Sequence, residues 1–104
     1  MLNVKEMNVS ELSTQLLSDM IIVDIRQKLH FLQESIPHSV HIDDTNFENF
    51  IYETDLDRPI VVVCYHGISS KHVATLFLDR GFETVYSLAG GYEAWKKNSN
   101  NKVV

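Results

Sequence analysis

The sequence predicts an α/β fold: a central parallel β-sheet of about five strands, flanked by helices on both faces. Short apolar runs typical of strands alternate along the chain with segments of helical periodicity. One run, Ile60–Val63, has four consecutive β-branched residues, as expected for a strand buried on both faces. Parallel strands need crossover connections, so the alternating helices are expected to cover both sides of the sheet.

The first half of the chain contains three predicted strands and three predicted helices. Strands are expected at residues 4–7, 21–25 and 40–42. Asn8 and Glu11 form a capping-box pattern at the start of the first helix. The apolar face of that helix is expected to comprise Leu12, Leu16 and Leu17. A short helix over residues 28–34 should end before Pro37, and a third helix is indicated by Phe47, Phe50 and Ile51.

In the second half, Ile60–Val63 precedes a helix whose apolar positions run from Val73 to Leu78. Gly81, followed by apolar Phe82, is typical of a glycine-terminated helix. A last strand, Val85–Leu88, leads through the Gly90-Gly91 turn to a short helix carrying Tyr92, Ala94 and Trp95. We expect one domain spanning residues 1–104, with its core at about residues 4–97 and a loose polar tail from residue 98.

Composition and charge exclude several classes of function. The 44% apolar content is ordinary for a globular protein. A net charge of −5 argues against nucleic acid and anionic membranes as partners. A single cysteine cannot form an internal disulfide, no apolar run approaches the ~18 residues that span a bilayer, and residues 1–6 lack a signal-peptide pattern. A cytoplasmic location is therefore expected.

The only cysteine, Cys64, ends the buried strand and precedes a short loop and a helix. Ligands of open α/β sheets bind at the carboxyl ends of strands, and helix N-termini favour anions. There the pKa of a thiol falls far enough to make the thiolate the main species. Backbone N–H groups of residues 65–70 can form an anion-binding nest, for which Gly67 permits the curl. The hydroxyls of Ser69 and Ser70 are expected to cap the helix and donate to a bound anion.

Two cations, Lys71 and His72, fall in the first turn of this helix, which has no carboxylate. The helix dipole disfavours cations there, so the departure makes sense if the pocket receives an anion. From the residues alone, two interpretations of Cys64 remain: a reactive thiol, or a buried structural cysteine at the end of a core strand.

The motif C-Y-H-G-I-S-S-K after I-V-V-V, with V-Y-S-L-A-G-G-Y-E-A-W downstream, resembles the rhodanese family. It is most similar to the single-domain, GlpE-type thiosulfate sulfurtransferases, over residues 4–97. The resemblance implies a rhodanese-like fold and ping-pong sulfur transfer from thiosulfate through a Cys64 persulfide. The acceptor would be cyanide or a dithiol, including thioredoxin-like proteins, and no cofactor or metal is expected. The substrate-binding residues implied are Tyr65, His66, Gly67, Ile68, Ser69, Ser70 and Lys71.

Other polar residues have structural explanations. Asp24 and Arg26 match an early family motif and are expected to pair at the end of a buried strand. Where the family usually has a Gly-His pair before an Ile-Pro turn, this chain has Glu34-Ser35, which puts the local turn geometry in question. A metal site is not favoured, because strand positions i and i+3 face opposite ways; the residues whose spacing suggests one are His38, His41, Asp43 and Asp44.

Two other functions are alternatives to sulfur transfer. Cysteine phosphatases of the C-x5-R pattern need an arginine six residues after the cysteine, where this chain has Ser70. The other rival is a protein-binding or sulfur-relay module with a protein acceptor, since fold alone does not decide function.

Overall fold

The structure, a computed structural model, describes residues 4–15 and 19–102. Five strands form one sheet in the order β1-β5-β4-β2-β3, and every neighbouring pair is parallel. The strands are β1 (Lys5–Met7), β2 (Ile21–Asp24), β3 (Val40–His41), β4 (Ile60–Val63) and β5 (Val85–Leu88). The predicted parallel α/β architecture is therefore confirmed.

The five helices alternate with the strands and cover both faces of the sheet. They are α1 (Val9–Gln15), α2 (Lys28–Gln33), α3 (Phe47–Glu53), α4 (Ser69–Asp79) and α5 (Gly91–Lys102). Leu12 of α1 and Tyr92 of α5 pack in one apolar cluster. Phe77 of α4 packs in the other, where it contacts Phe47 and Phe50 of α3.

The central strand β4 supplies both clusters. Val61 and Val63 belong to the cluster beneath α1 and α5, whereas Ile60 and Val62 belong to the cluster beneath α3 and α4. All four side chains are buried. Because successive strand residues face opposite ways, a strand between two helical layers must be apolar at every position.

Two local predictions are confirmed in atomic detail. The Asn8 side chain accepts from the Glu11 N–H at 2.8 Å, and the Glu11 side chain accepts from the Asn8 N–H at 3.1 Å. Gly81 adopts φ +100°, and the Phe82 N–H donates to the Phe77 carbonyl at 3.2 Å. The predicted apolar positions Leu16 and Leu17 lie outside the described residues.

One predicted helix start is confirmed, and one predicted helix end was wrong. Helix α4 begins at Ser69, so Lys71 and His72 fall in its first turn, as predicted. Helix α5 continues to Lys102, so the expectation that this helix is short and ends before residue 98 was wrong. Once a helix is nucleated, each added residue contributes a backbone hydrogen bond, and elongation does not require an apolar face.

None of the helices in the described ranges is both long and apolar enough to cross a membrane.

A buried ion pair closes the carboxyl end of β2. The Arg26 guanidinium donates to both carboxylate oxygens of Asp24 at 2.8–3.1 Å, and both side chains are almost fully inaccessible. Arg26 also donates to the Glu34 carbonyl at 2.8 Å and lies 3.8 Å from the centre of the Tyr92 ring. The expected structural pairing is confirmed, and it joins β2, the turn before Pro37 and α5.

Replacing Asp24 with asparagine should strongly destabilise the fold, because the Arg26 charge would stay buried without its counter-charge. We expect Asp24→Asn to lower the free energy of unfolding by about 3–5 kcal/mol, measured by urea denaturation. The matched control is Asp19→Asn, whose partner Arg58 is solvent-accessible and whose unfolding midpoint should hardly change. Similar small effects from both substitutions would contradict a structural role for the buried pair.

Candidate active site

Cys64 lies directly after β4, the strand that pairs with both β2 and β5. Its side chain points into the concavity formed by residues 65–68 and the start of α4, and the residue is only 5% exposed. The sheet therefore places the thiol at the carboxyl edge and in front of a helix N-terminus, as predicted.

Glycines allow the loop to lie directly against the segment that follows β5. Gly67 has φ +87°, and a Cβ there would lie 2.8 Å from the Gly90 nitrogen. Gly91 has φ +64°, and a Cβ there would lie 2.5 Å from the Cys64 carbonyl oxygen. A side chain at either position would clash with backbone, so the prediction that Gly90-Gly91 serves chain geometry near the pocket is confirmed.

The N-terminus of α5 orients the peptide groups of the loop. The Tyr92 N–H donates to the Cys64 carbonyl at 2.7 Å, and the Glu93 N–H donates to the Tyr65 carbonyl at 3.1 Å. These carbonyls are held toward α5, while N–H groups further along the loop turn toward the sulfur. The first N–H groups of α5, which have no partner within that helix, therefore hold the loop that forms the anion site at the N-terminus of α4.

Two N–H donors and one hydroxyl group surround the Cys64 sulfur. The Gly67 N–H lies 3.1 Å from Sγ, the Ser70 N–H lies 3.2 Å away, and the Ser70 hydroxyl oxygen also lies 3.2 Å away. Burial raises the pKa of the Cys64 thiol, but hydrogen bonds from Ser70 and from the Gly67 and His66 N–H groups outweigh it. The pKa is therefore lowered overall, and the thiolate becomes more available than in an ordinary buried cysteine.

The two serines of the loop differ from their predicted role as caps. The residue before α4 is Ile68, and no side chain caps this helix end. Ser69 is exposed, whereas Ser70 is completely buried and lies 2.7 Å from the hydroxyl of Ser87 on β5. Ser87 was not predicted as a site residue, although a serine within the apolar strand Val85–Leu88 was a usable signal.

The cations near the loop have acidic partners from elsewhere in the chain. Lys71 lies in the first turn of α4, as predicted, but its Nζ is 3.4 Å from a carboxylate oxygen of Glu6 on β1. The view that this cation lacks compensation was therefore wrong, because β1 is distant in sequence but adjacent in space. The His66 Nδ1 similarly lies 2.9 Å from a carboxylate oxygen of Glu93.

Tyr65 and Ile68 form the outer rim of the loop. The Tyr65 ring packs edge-on against His30 of α2, and its hydroxyl contacts His30 Nδ1 and accepts from the Gln27 N–H. Tyr65 thus packs against the N-terminal part of α2. Ile68 is 77% exposed beside it.

The remaining candidates serve local structure. Glu34 pairs through its carboxylate with Lys96 at 2.8 Å, and this hydrogen bond lowers the pKa of the Glu34 carboxyl. His41 binds the Arg26 carbonyl at 2.6 Å, and His38 occupies a left-handed turn position. In the part of the chain that is described, no three His, Cys, Asp or Glu side chains are grouped to hold a metal ion.

The sequence matches the rhodanese-like domain family over residues 8–98. A thiosulfate sulfurtransferase GlpE of Pseudomonas syringae is 47% identical over 76 residues, which cover 73% of this chain and 72% of the relative. A thiosulfate sulfurtransferase GlpE of Pseudomonas aeruginosa is 49% identical over a region that covers 72% of this chain and 68% of the relative.

Solved structures agree with the assignment of the fold. The rhodanese-like domain of the Anabaena protein Alr3790 superimposes with a TM-score of 0.82 at 20% identity, over 92% of this chain and 76% of that one. The family match and the sequence identity to the curated relatives show that the similarity is one of sequence as well as of fold. This chain therefore belongs to the rhodanese family.

Proposed function

We propose that the protein is a thiosulfate sulfurtransferase that carries sulfur as a persulfide on Cys64. The observation that supports this most directly is the buried sulfur within hydrogen-bonding distance of two N–H groups and one hydroxyl. Such a site favours a negatively charged sulfur atom. Similarity to curated GlpE sulfurtransferases supports thiosulfate as the donor.

In the first half-reaction, the Cys64 thiolate attacks the outer sulfur of thiosulfate. A bond forms between the two sulfur atoms, the sulfur–sulfur bond of thiosulfate breaks, and sulfite leaves with the electron pair. The enzyme then carries a persulfide whose terminal sulfur is anionic. The Gly67 and Ser70 donors already converge on this region, so little reorganisation accompanies the shift of charge.

In the second half-reaction, a thiophile attacks the terminal sulfur and the Cys64 thiolate leaves. Cyanide becomes thiocyanate, whereas a dithiol takes the sulfur as its own persulfide and can then release sulfide by forming a disulfide. Both half-reactions balance without a cofactor. The covalent intermediate divides the transfer into two simple displacements.

The remaining loop residues would bind the donor at the mouth of the pocket. Tyr65, His66, Ile68 and Ser69 are the exposed residues of this segment, and Lys71 lies in the first turn of α4. A phosphatase of the C-x5-R pattern would need a guanidinium where this chain has the buried Ser70 hydroxyl, so sulfur transfer is favoured. A cytoplasmic location stays a prediction.

The persulfide half-reaction can be tested by intact-protein mass spectrometry. Incubation with thiosulfate should add one sulfur atom to the protein, and cyanide should remove it. Cys64→Ser should gain none, whereas Ser39→Ala, which removes a hydroxyl bound to the Ile36 carbonyl, should behave like the unmodified protein. Folded protein that gains no sulfur from thiosulfate would refute the proposed donor.

The Lys71–Glu6 pair provides a test of donor binding. Lys71→Ala should raise the KM for thiosulfate about two- to fivefold and change kcat little, since its attraction is shared by the ground and transition states. Glu6→Gln should lower the KM, because it frees the same cation. Steady-state kinetics in which neither substitution changes KM would remove Lys71 from the site.

A protein acceptor is the second candidate, as in a sulfur-relay module. Ile68 is 77% exposed within the active loop, and Leu29 and Leu32 are exposed on α2, the helix whose His30 contacts Tyr65. Exposed apolar side chains around a reactive group are typical of docking contacts. A thioredoxin-like dithiol protein would suit both this rim and the proposed chemistry.

Ile68→Ser separates small from protein acceptors. We expect transfer to a reduced thioredoxin-like protein to slow roughly fivefold, because an apolar contact is lost, with transfer to cyanide unchanged. The matched control is Tyr52→Ser, since Tyr52 is exposed beside Arg80 at the opposite end of α4. Equal rates with the protein acceptor for Ile68→Ser and the unmodified protein would argue against docking at this rim.

A further inference from the structure

Ser87 is a buried polar residue in an otherwise apolar strand. It lies on β5, where it pairs with Val62 of β4, and it is completely inaccessible to solvent. Its hydroxyl oxygen lies 2.7 Å from that of Ser70, which in turn lies 3.2 Å from the Cys64 sulfur. Two buried hydroxyls therefore form a chain that ends at the reactive atom.

The number of hydrogens that the two hydroxyls can donate determines which group is the donor in each hydrogen bond. A serine hydroxyl has one hydrogen to donate and can accept from others. When Cys64 is a thiolate, Ser70 stabilises it only by donating its single hydrogen to the sulfur. The bond between the serines must then run from Ser87 to Ser70.

The direction can reverse when Cys64 is protonated. The thiol can donate to the Ser70 oxygen, and Ser70 can then donate to Ser87. Without Ser87, the Ser70 hydroxyl has no fixed partner on its far side to bias its rotation. A preceding donor also polarises a hydroxyl and strengthens the bond that it donates.

We propose that Ser87 is a positioning residue that orients the Ser70 hydroxyl toward the Cys64 sulfur in the thiolate and persulfide states. This inference rests on the proposed function for its catalytic meaning, but the hydroxyl chain itself can be tested without sulfur transfer. The sheet determines the position of Ser87, because the register between β4 and β5 places it beside the end of the strand that carries Cys64.

Most of the charged and titratable groups around the site lie in pairs. His66 of the loop pairs with Glu93 of α5, and Lys71 of α4 pairs with Glu6 of β1. On the side of β2, Arg26 pairs with Asp24, and His72 lies exposed on α4. Neutral N–H and O–H donors are the groups in direct contact with the sulfur.

The test measures how fast iodoacetamide alkylates Cys64 as a function of pH. Because Cys64 is the one cysteine of the protein, the pH at which the alkylation rate curve inflects reports the pKa of that thiol alone. Loss of a hydrogen bond to the thiolate should move the inflection upward, by about one pH unit for Ser70→Ala. Ser87→Ala should move it upward by roughly half a unit, as a positioning effect.

The double variant Ser70→Ala/Ser87→Ala distinguishes positioning from a general structural effect. If Ser87 acts through Ser70, the double variant should have the same inflection as Ser70→Ala alone. Ser39→Ala controls for loss of a serine hydroxyl elsewhere and should leave the inflection unchanged. Additive shifts, or an unchanged inflection in Ser87→Ala, would overturn the proposal.

Ser87→Thr provides a second route if Ser87→Ala does not fold. It keeps a hydroxyl at this position and should retain the inflection of the unmodified protein. An inflection as high as that of Ser70→Ala in folded Ser87→Thr would count against the proposal. Since alkylation needs no thiosulfate, a failed sulfur-transfer assay would leave this result intact, and the two proposals can fail separately.

Discussion

The contact between the cysteine loop and the N-terminus of α5 is the constraint on which the site depends. Residues 64–67 and 90–93 are separated in sequence, yet Gly91 lies against the Cys64 carbonyl at a distance that excludes any side chain. The first N–H groups of α5 bind the Cys64 and Tyr65 carbonyls. Because those carbonyls are held outward, the loop can present N–H groups to the sulfur without unpaired carbonyls beside a negative charge.

This arrangement explains how a protein of net charge −5 can favour an anionic sulfur. Two of the nearby basic side chains, His66 and Lys71, already have carboxylate partners, so their long-range attraction contributes little beyond the rim. Short hydrogen-bond contacts from Gly67 and Ser70 act directly on Sγ and lower its pKa despite burial. Local dipoles therefore determine the state of the thiol, and net charge affects mainly the approach of the donor.

A second network lies at the carboxyl end of β2, the strand that pairs with β4. Arg26 binds Asp24, lies over the Tyr92 ring and donates to the Glu34 carbonyl. The last contact uses main chain, which any residue supplies. This accounts for the departure from the family's Gly-His pair at Glu34-Ser35: the turn still presents its carbonyl, and the Glu34 side chain is free to pair with Lys96 on α5.

The sequence alone determined the parallel sheet, the alternation of helices and strands, and the place of Cys64 at a strand end, because these depend on local periodicity and on burial of the strand on both faces. It also indicated the glycines and most of the loop. Only the tertiary structure showed that Ser70 faces Sγ and Ser87 instead of capping α4, and that Glu6 neutralises Lys71. Those contacts join residues on different strands and helices, and such pairings arise from the order and register of the sheet, which one-dimensional periodicity does not encode.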